Sequence, residues 1–190
     1  MLIKNLPLLL AVAVIPLNAH SQAPAAADTS AVPAHQFFEV LSSLCGSHYV
    51  GEMTFPTDSQ DSFKGKQLVA EFSDCAAQEI RVPFKVGEDT SRTWVFTKTA
   101  AGARLKHDHR HKDGSPDDVT NYGGDSTDDG SALRQAFAAD DFTQQLIPAA
   151  STNVWNIILS EDKQQLTYHL ERHGKPRFTA VLNKAEEVSE

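Results

Sequence analysis

The chain has 190 residues, of which 17 are basic and 25 acidic, giving a formal net charge of −8. This acidic balance argues against nucleic acid or an anionic membrane surface as a main partner, since both attract positively charged proteins. The predicted folded part, from about His35 to about Lys184, has about 150 residues, enough for one domain with its own core.

The first residues have the pattern of a secretory signal peptide. Lys4 precedes an apolar run, Leu6–Leu17, and the small residues Ala19 and Ser21 follow. Cleavage is therefore predicted before Gln22, with export to the periplasm or the medium. A transmembrane anchor is the alternative, but the run is shorter than the roughly 20 apolar residues that a spanning helix needs. We expect no stable membrane insertion after cleavage.

The rest of the chain divides by composition. An Ala/Pro/Ser/Thr-rich stretch without periodicity predicts a disordered spacer, and the last residues are acidic. The predicted organisation is a signal peptide at 1–21, a spacer at 22–34, a β-barrel at 35–184 and a frayed acidic tail at 185–190.

Cys45 and Cys75 are the two cysteines of the chain. An even pair in an exported protein usually forms a disulfide, and neither residue belongs to a Cys-x-x-Cys metal motif. A Cys45–Cys75 disulfide is therefore predicted.

A helix and then a series of strands are predicted in chain order. HQFFEVLSSLCG, starting at His35, has apolar residues at helical spacing and ends at Gly46. The period then changes to two, with polar turns between segments. Strands are predicted at 48–55, 64–73, 78–86, 91–98, 103–111, 119–124 and 131–137, followed by TNVWNIILS, QLTYHLERH and KPRFTAVLN, with a less regular stretch at 138–151 before these three.

About ten strands after one short helix predict an all-β fold. Without long helices between the strands, parallel crossovers are not expected, so successive strands should pair as an antiparallel meander. Closure into an up-and-down barrel would remove exposed edges. A β-sandwich is the alternative, and the regular hairpin spacing favours the barrel.

The stretch from Leu44 to Glu52, LCGSHYVGE, resembles the start of the calycins, which include lipocalins, fatty-acid-binding proteins and nitrobindin-like barrels. Tyr49, counted back from Gly51, or His48, counted forward from Gly46, stands where these families usually have tryptophan, because the gap between the two glycines is one residue longer than usual. The resemblance implies a barrel with an internal cavity. It also implies that an arginine of a late strand, here Arg177, caps the barrel end over this aromatic residue.

The segment ARLKHDHRHKDG carries three histidines at alternate positions, which a strand places on one face. Four charged residues share the opposite face, which should therefore lie in water, so the histidines should point inward. The charged residues are Arg104, Lys106, Asp108 and Arg110, and the histidines are His107, His109 and His111.

These histidines could form a metal site, since His-x-His offers two imidazoles to a transition metal. His107 and His111 are about 13 Å apart along a strand, too far to share one ion. A metal would need His107 and His109 together with a ligand from another strand, such as His169 or a carboxylate.

A ligand cavity lined by polar groups is the favoured interpretation, because inward imidazoles need partners to offset desolvation. We expect a small-molecule ligand that is hydrophobic or carries a carboxylate. The predicted ligand-binding residues are His107, His109, His111, Tyr49, Tyr122, Trp155, Tyr168 and Arg177.

Other functions stay open. A metal or a haem is an alternative cofactor, and such a barrel could be an enzyme. The resemblance to nitrobindin-like barrels implies a late-strand histidine as the haem ligand, which by position would be His169 or His173. His107 or His109 with Asp140 or Glu171 could form a catalytic pair, but the sequence has no Gly-x-Ser-x-Gly motif and no glycine-rich phosphate loop. A non-catalytic function is therefore favoured. A filled barrel that interacts with the cell envelope is the third class.

Overall fold

A short helix leads into eleven β-strands in the computed structural model, which describes residues 32–56, 62–127 and 129–186. The predicted signal peptide, most of the spacer and the last four residues of the tail lie outside these residues. The elements are α1 (Pro33–Ser42), β1 (His48–Phe55), β2 (Leu68–Glu71), β3 (Asp74–Cys75), β4 (Glu79–Val86), β5 (Asp89–Thr99), β6 (Gly102–His109), β7 (Tyr122–Asp125), β8 (Arg134–Ala138), α2 (Asp141–Leu146), a 3₁₀ helix (Pro148–Ala150), β9 (Asn153–Leu159), β10 (Gln165–Arg172) and β11 (Lys175–Lys184).

The strands form a nearly closed antiparallel up-and-down barrel, which confirms the predicted fold class. Ten strands pair in the order β7-β6-β5-β4-β2-β1-β11-β10-β9-β8, and β3 pairs with β4 outside this path. The first strand pairs with the last, so the two halves of the meander join. The ends meet where Ser126 and Phe137 form an isolated bridge between β7 and β8. Since all strands belong to one sheet, the β-sandwich alternative is wrong.

Alternate residues of each strand point into the barrel and form its core. In β4 every second residue is buried, as the period of two predicts. The centre of the core is aromatic, and its rings pack face to face or edge to face. Phe84 stacks on Trp94 with ring centroids 4.3 Å apart, and Trp94 packs on Tyr168 at 4.8 Å.

Helix α1 closes one end of the barrel. Phe37 and Leu41 are fully buried on its inner face, and the ring of Phe37 packs on that of Phe137 with centroids 6.2 Å apart. The helix begins at Pro33, two residues before its predicted start at His35, because proline suits the first turn of a helix. This end of the barrel is therefore filled by side chains.

The second predicted strand is shorter in the structure. The strand predicted over 64–73 is confined to β2, because Phe63 to Lys66 form a turn in which Gly65 has a φ of +70°. At the start of the predicted tail, the Ala185 amide donates to the His48 carbonyl at 3.0 Å.

The predicted disulfide is confirmed between Cys45 and Cys75. It joins the segment after α1 to β3, and both cysteines are exposed. No helix within the described residues is long and apolar enough to cross a membrane.

The outer face of β6 is charged, as predicted, but Asp108 is not in water. Its side chain is only 5% exposed because Arg81 and Arg110 cover it, with nitrogen–oxygen distances of 2.8 and 3.0 Å. Burial opposes ionisation of this carboxyl, but hydrogen bonds from Arg110, Arg81 and Thr120 outweigh it and lower the pKa of Asp108. The arginines on this face thus neutralise a carboxylate between them.

Candidate functional site: a cavity at the open end of the barrel

A cavity of about 250 Å³ lies inside the barrel at the end opposite α1. Aromatic rings form most of its wall, and polar side chains lie among them. β9 and β10 contribute through their inward-facing alternate residues, whereas the 3₁₀ helix and the turn after residue 62 contribute from outside the sheet. The lining residues are Phe63, Tyr122, Ile147, Ala150, Asn153, Trp155, Tyr168, Leu170, Arg172, Arg177 and Phe178. Tyr122, Trp155, Tyr168 and Arg177 were predicted to bind the ligand.

His107 points inward, as the alternation of β6 predicts, and is buried behind the cavity wall. Its Nδ1 lies 3.1 Å from the carbonyl oxygen of Tyr122, and its Nε2 lies 2.8 Å from the hydroxyl of Tyr168. The imidazole also stacks on the Tyr122 ring, with centroids 4.7 Å apart. Both ring nitrogens are engaged by protein groups, so His107 acts on the cavity through the two tyrosines.

Burial sets the protonation of this group. It lowers the pKa of His107 to about 3, so the imidazole is neutral at pH 7. It also raises the pKa of Tyr122 to about 12 and that of Tyr168 well above its usual value. The inner wall of the cavity is therefore uncharged at neutral pH.

His109 also faces inward, nearer the barrel mouth, and is half-buried. Its Nε2 lies 3.0 Å from the hydroxyl of Tyr122. Burial, together with the nearby charge of Arg92, lowers the pKa of His109. Arg92 faces the interior beside it, over the ring of Phe63 and paired with Asp89. His109 thus supports Tyr122 from behind the cavity wall.

His111 does not reach the cavity, which corrects the prediction of a three-histidine stripe. β6 ends at His109, and the His111 side chain is 55% exposed beside Asp117. It lines a solvent-open groove of about 700 Å³ between the β4–β5 turn and the segment after β6. This groove has mixed charges on the protein surface, whereas the cavity of about 250 Å³ is lined by inward-facing residues of β9 and β10 at the barrel mouth.

Tyr49 lies at the opposite end of the barrel, and its predicted place in the site is wrong. It pairs with Lys184 at the end of β11, and its hydroxyl donates to the carbonyl of Lys163 at 2.7 Å. Arg177 lies near the start of β11 and lines the cavity. The cap of Arg177 over Tyr49, implied by the calycin resemblance, is therefore also wrong: the strand between them is too long.

Two arginines, Arg172 and Arg177, line the cavity mouth. Arg172 is half-buried, and its Nε donates to Asn153 Oδ1 at 2.8 Å. No ion pair among the described residues includes Arg172 or Arg177. Within the described part of the chain, the positive charge of this mouth is therefore not neutralised by a carboxylate.

Sequence reasoning missed part of this wall. Arg172 follows Leu166, Tyr168 and Leu170 on the inward face of β10, so the alternation that placed Tyr168 could have found it. Phe63 comes from a turn, for which the sequence carries no pattern that predicts contact with the barrel interior.

The structure brings no third ligand to the predicted metal pair. Both nitrogens of His107 are occupied, and the described part of the chain holds no group of three or more His, Cys, Asp or Glu side chains that could bind a metal. His169 lies on the outer face of β10 and bonds Thr179, while His173 is exposed in the following turn. Neither predicted haem ligand faces the barrel interior.

Comparison with known protein families, with curated proteins and with solved structures finds no match to this chain.

Proposed function

We propose that this chain is an exported small-molecule-binding protein of calycin type, with its ligand held in the cavity at the open end of the barrel. The observation that carries the proposal is the difference between the two ends. One end is filled by α1, whereas the other leaves about 250 Å³ lined by aromatic rings and by two arginines that have no ion pair among the described residues. A barrel that served only as packing would gain stability by filling both ends.

The cavity wall favours a ligand with a flat apolar body. Trp155, Tyr122, Phe63 and Phe178 supply ring faces and edges against which such a body packs. The volume lies below the roughly 300–1,000 Å³ common for drug-sized ligands, so the ligand is small.

The mouth favours a carboxylate or another anion on that ligand. Arg172 has its Nε fixed by Asn153 while its terminal nitrogens bond no described residue, and a guanidinium binds a carboxylate through two parallel hydrogen bonds. Arg177, exposed beside it, adds a second positive charge.

Titration of the purified protein with 3-phenylpropanoate and its neutral counterpart 3-phenylpropan-1-ol tests this proposal through tryptophan fluorescence, since Trp155 lines the cavity. We expect saturable fluorescence changes with both compounds and tighter binding of the acid. Arg172→Gln should weaken binding of the acid by about tenfold and leave that of the alcohol unchanged.

Arg134→Gln is the matched control, because Arg134 is an exposed arginine of β8 without an ion pair among the described residues. Leu170→Trp, which fills the cavity from its own wall, should abolish binding of both probes. Native mass spectrometry of protein purified from its own compartment adds an independent readout. A bare mass together with no saturation by either probe would overturn the proposal.

Export is proposed from the N-terminal pattern and supported by the disulfide, since disulfides persist in oxidising compartments. Expression of the full chain in a bacterium, followed by fractionation and N-terminal sequencing, should give a periplasmic or secreted protein starting at Gln22. A cytoplasmic protein that retains Lys4 would contradict export.

A further inference from the structure

Tyr168 and His107 form a hydrogen-bonded pair at the inner wall of the cavity. Tyr168 lines the cavity, and His107 lies behind it. The hydrogen-bond partners of His107 determine which atom of this pair carries each hydrogen. This in turn determines whether the Tyr168 hydroxyl can donate a hydrogen bond to a ligand or only accept one.

His107 Nδ1 must carry a hydrogen. Its partner at 3.1 Å is the carbonyl oxygen of Tyr122, which can only accept. A neutral imidazole has one N–H group, so Nε2 has a lone pair and no hydrogen. Burial holds the imidazole neutral, since it lowers the pKa of His107 to about 3.

The Tyr168 hydroxyl must then donate to His107 Nε2, at 2.8 Å. Its single hydrogen is used, and the phenol oxygen keeps only lone pairs for other partners. Among the described residues, His107 is the only hydrogen-bond partner of this oxygen.

We propose that Tyr168 is a specificity-determining residue that selects ligands with a hydrogen-bond donor, such as a phenol hydroxyl or an amine, at the buried end. His107 is its positioning residue. Together with the arginines at the mouth, this predicts an aromatic acid with a donor group at the end remote from the acid. The inference rests on the proposed function and adds the polarity and orientation of the ligand.

Two probes of nearly equal size test it: 3-(4-hydroxyphenyl)propanoate and 3-(4-methylphenyl)propanoate. In the wild-type protein we expect about tenfold tighter binding of the hydroxyl compound, as one net hydrogen bond gives. Tyr168→Phe should abolish this preference while the methyl compound still binds. Tyr49→Phe is the matched control, because it removes a buried phenol hydroxyl at the other end of the barrel and should leave the preference unchanged.

Nitrogen-15 NMR of the imidazoles tests the hydrogen assignment without any ligand. The His107 signals should show the tautomer protonated at Nδ1 in the wild-type protein. An Nε2-protonated or charged His107 would overturn the inference even if Tyr168→Phe folds poorly.

The outcomes separate the two proposals. If both acids bind equally well to the wild-type protein, the selection by Tyr168 is wrong and the proposed function stands. If neither acid binds, the proposed function fails and this inference fails with it.

Discussion

Two histidines that enter the barrel interior, His107 and His109, are paired with tyrosines rather than left for solvent. His107 bonds Tyr168 and the Tyr122 backbone, and His109 contacts the Tyr122 hydroxyl. Such pairing is needed because an unpaired buried polar group costs about 1–3 kcal/mol. The alternation of β6 predicted which way the His107 side chain points, but its hydrogen-bond partners come from strands far away in the sequence.

Acid should destabilise the protein through His107. Its pKa is about 3 in the folded protein and about 6.5 in an unfolded chain, so the unfolded state binds the extra proton between these values. The contribution of the neutral His107 to the free energy of unfolding is fully present above pH 6.5. Below that pH the free energy of unfolding falls by up to about 1.4 kcal/mol per pH unit. Urea denaturation of the wild-type protein and His107→Gln between pH 7 and pH 4 measures this, and the variant should show a shallower decline.

His111→Gln is the control, since His111 is exposed outside the barrel. It should have the same pH dependence as the wild-type protein. If the free energy of unfolding fell equally steeply with decreasing pH in the wild-type protein and in His107→Gln, the assignment of a buried neutral imidazole would be contradicted.

Helix α1 and the disulfide act as units that hold one end of the barrel. Phe37, Phe38 and Leu41 fill the barrel end, and the His35 Nε2 atom lies 2.8 Å from the Thr99 carbonyl oxygen. The helical spacing of these apolar residues was visible in the sequence, but the surface that they cover was not, because it is built from β5, β6 and β8.

Removal of the disulfide should destabilise this end of the fold. Cys45 and Cys75 are 30 residues apart, and closure of a loop of this length stabilises by about 3–4 kcal/mol in the chain-entropy model. Urea denaturation of Cys45→Ser/Cys75→Ser should show a loss of that size. Dithiothreitol should lower the free energy of unfolding of the wild-type protein by a similar amount and leave that of the double variant unchanged. A double variant as stable as the wild-type protein would contradict this.

The barrel as a whole is joined least firmly between β7 and β8. Other neighbouring strands on the barrel path pair over three or more consecutive residues. Among the described residues, the backbone pairing at the seam between β7 and β8 has only the Ser126–Phe137 bridge and the amides of Thr127 and Asp140, which donate to the carbonyl oxygens of Ala136 and Gly123. Gly124 permits the close approach, because a Cβ atom there would lie 1.8 Å from the Ala138 carbonyl oxygen. The seam also borders Tyr122, so it adjoins the cavity.

Hydrogen exchange should therefore find the seam opening before the rest of the barrel. The Thr127 and Asp140 amides should exchange faster than those in the β4–β5 pairing. Gly124→Ala should accelerate the exchange of these two amides further and lower the free energy of unfolding by about 1–3 kcal/mol, because the strands must separate to accept the methyl group. Uniform exchange around the barrel, or a fully stable Gly124→Ala variant, would contradict a weak seam.

The sequence by itself determined the strand periodicity, the direction of His107, the cysteine pair and the antiparallel meander. These follow from local chemistry, namely alternation, turn residues and the absence of long helices. The tertiary structure alone decided which end of the barrel stays open, and so which residues share the cavity. Tyr49 and Arg177 lie on neighbouring strands, yet the length of β11 separates them. Phe63 reaches the cavity from a turn, and the position of His111 depends on where β6 ends. Closure of the barrel sets these distances, and no local pattern encodes them.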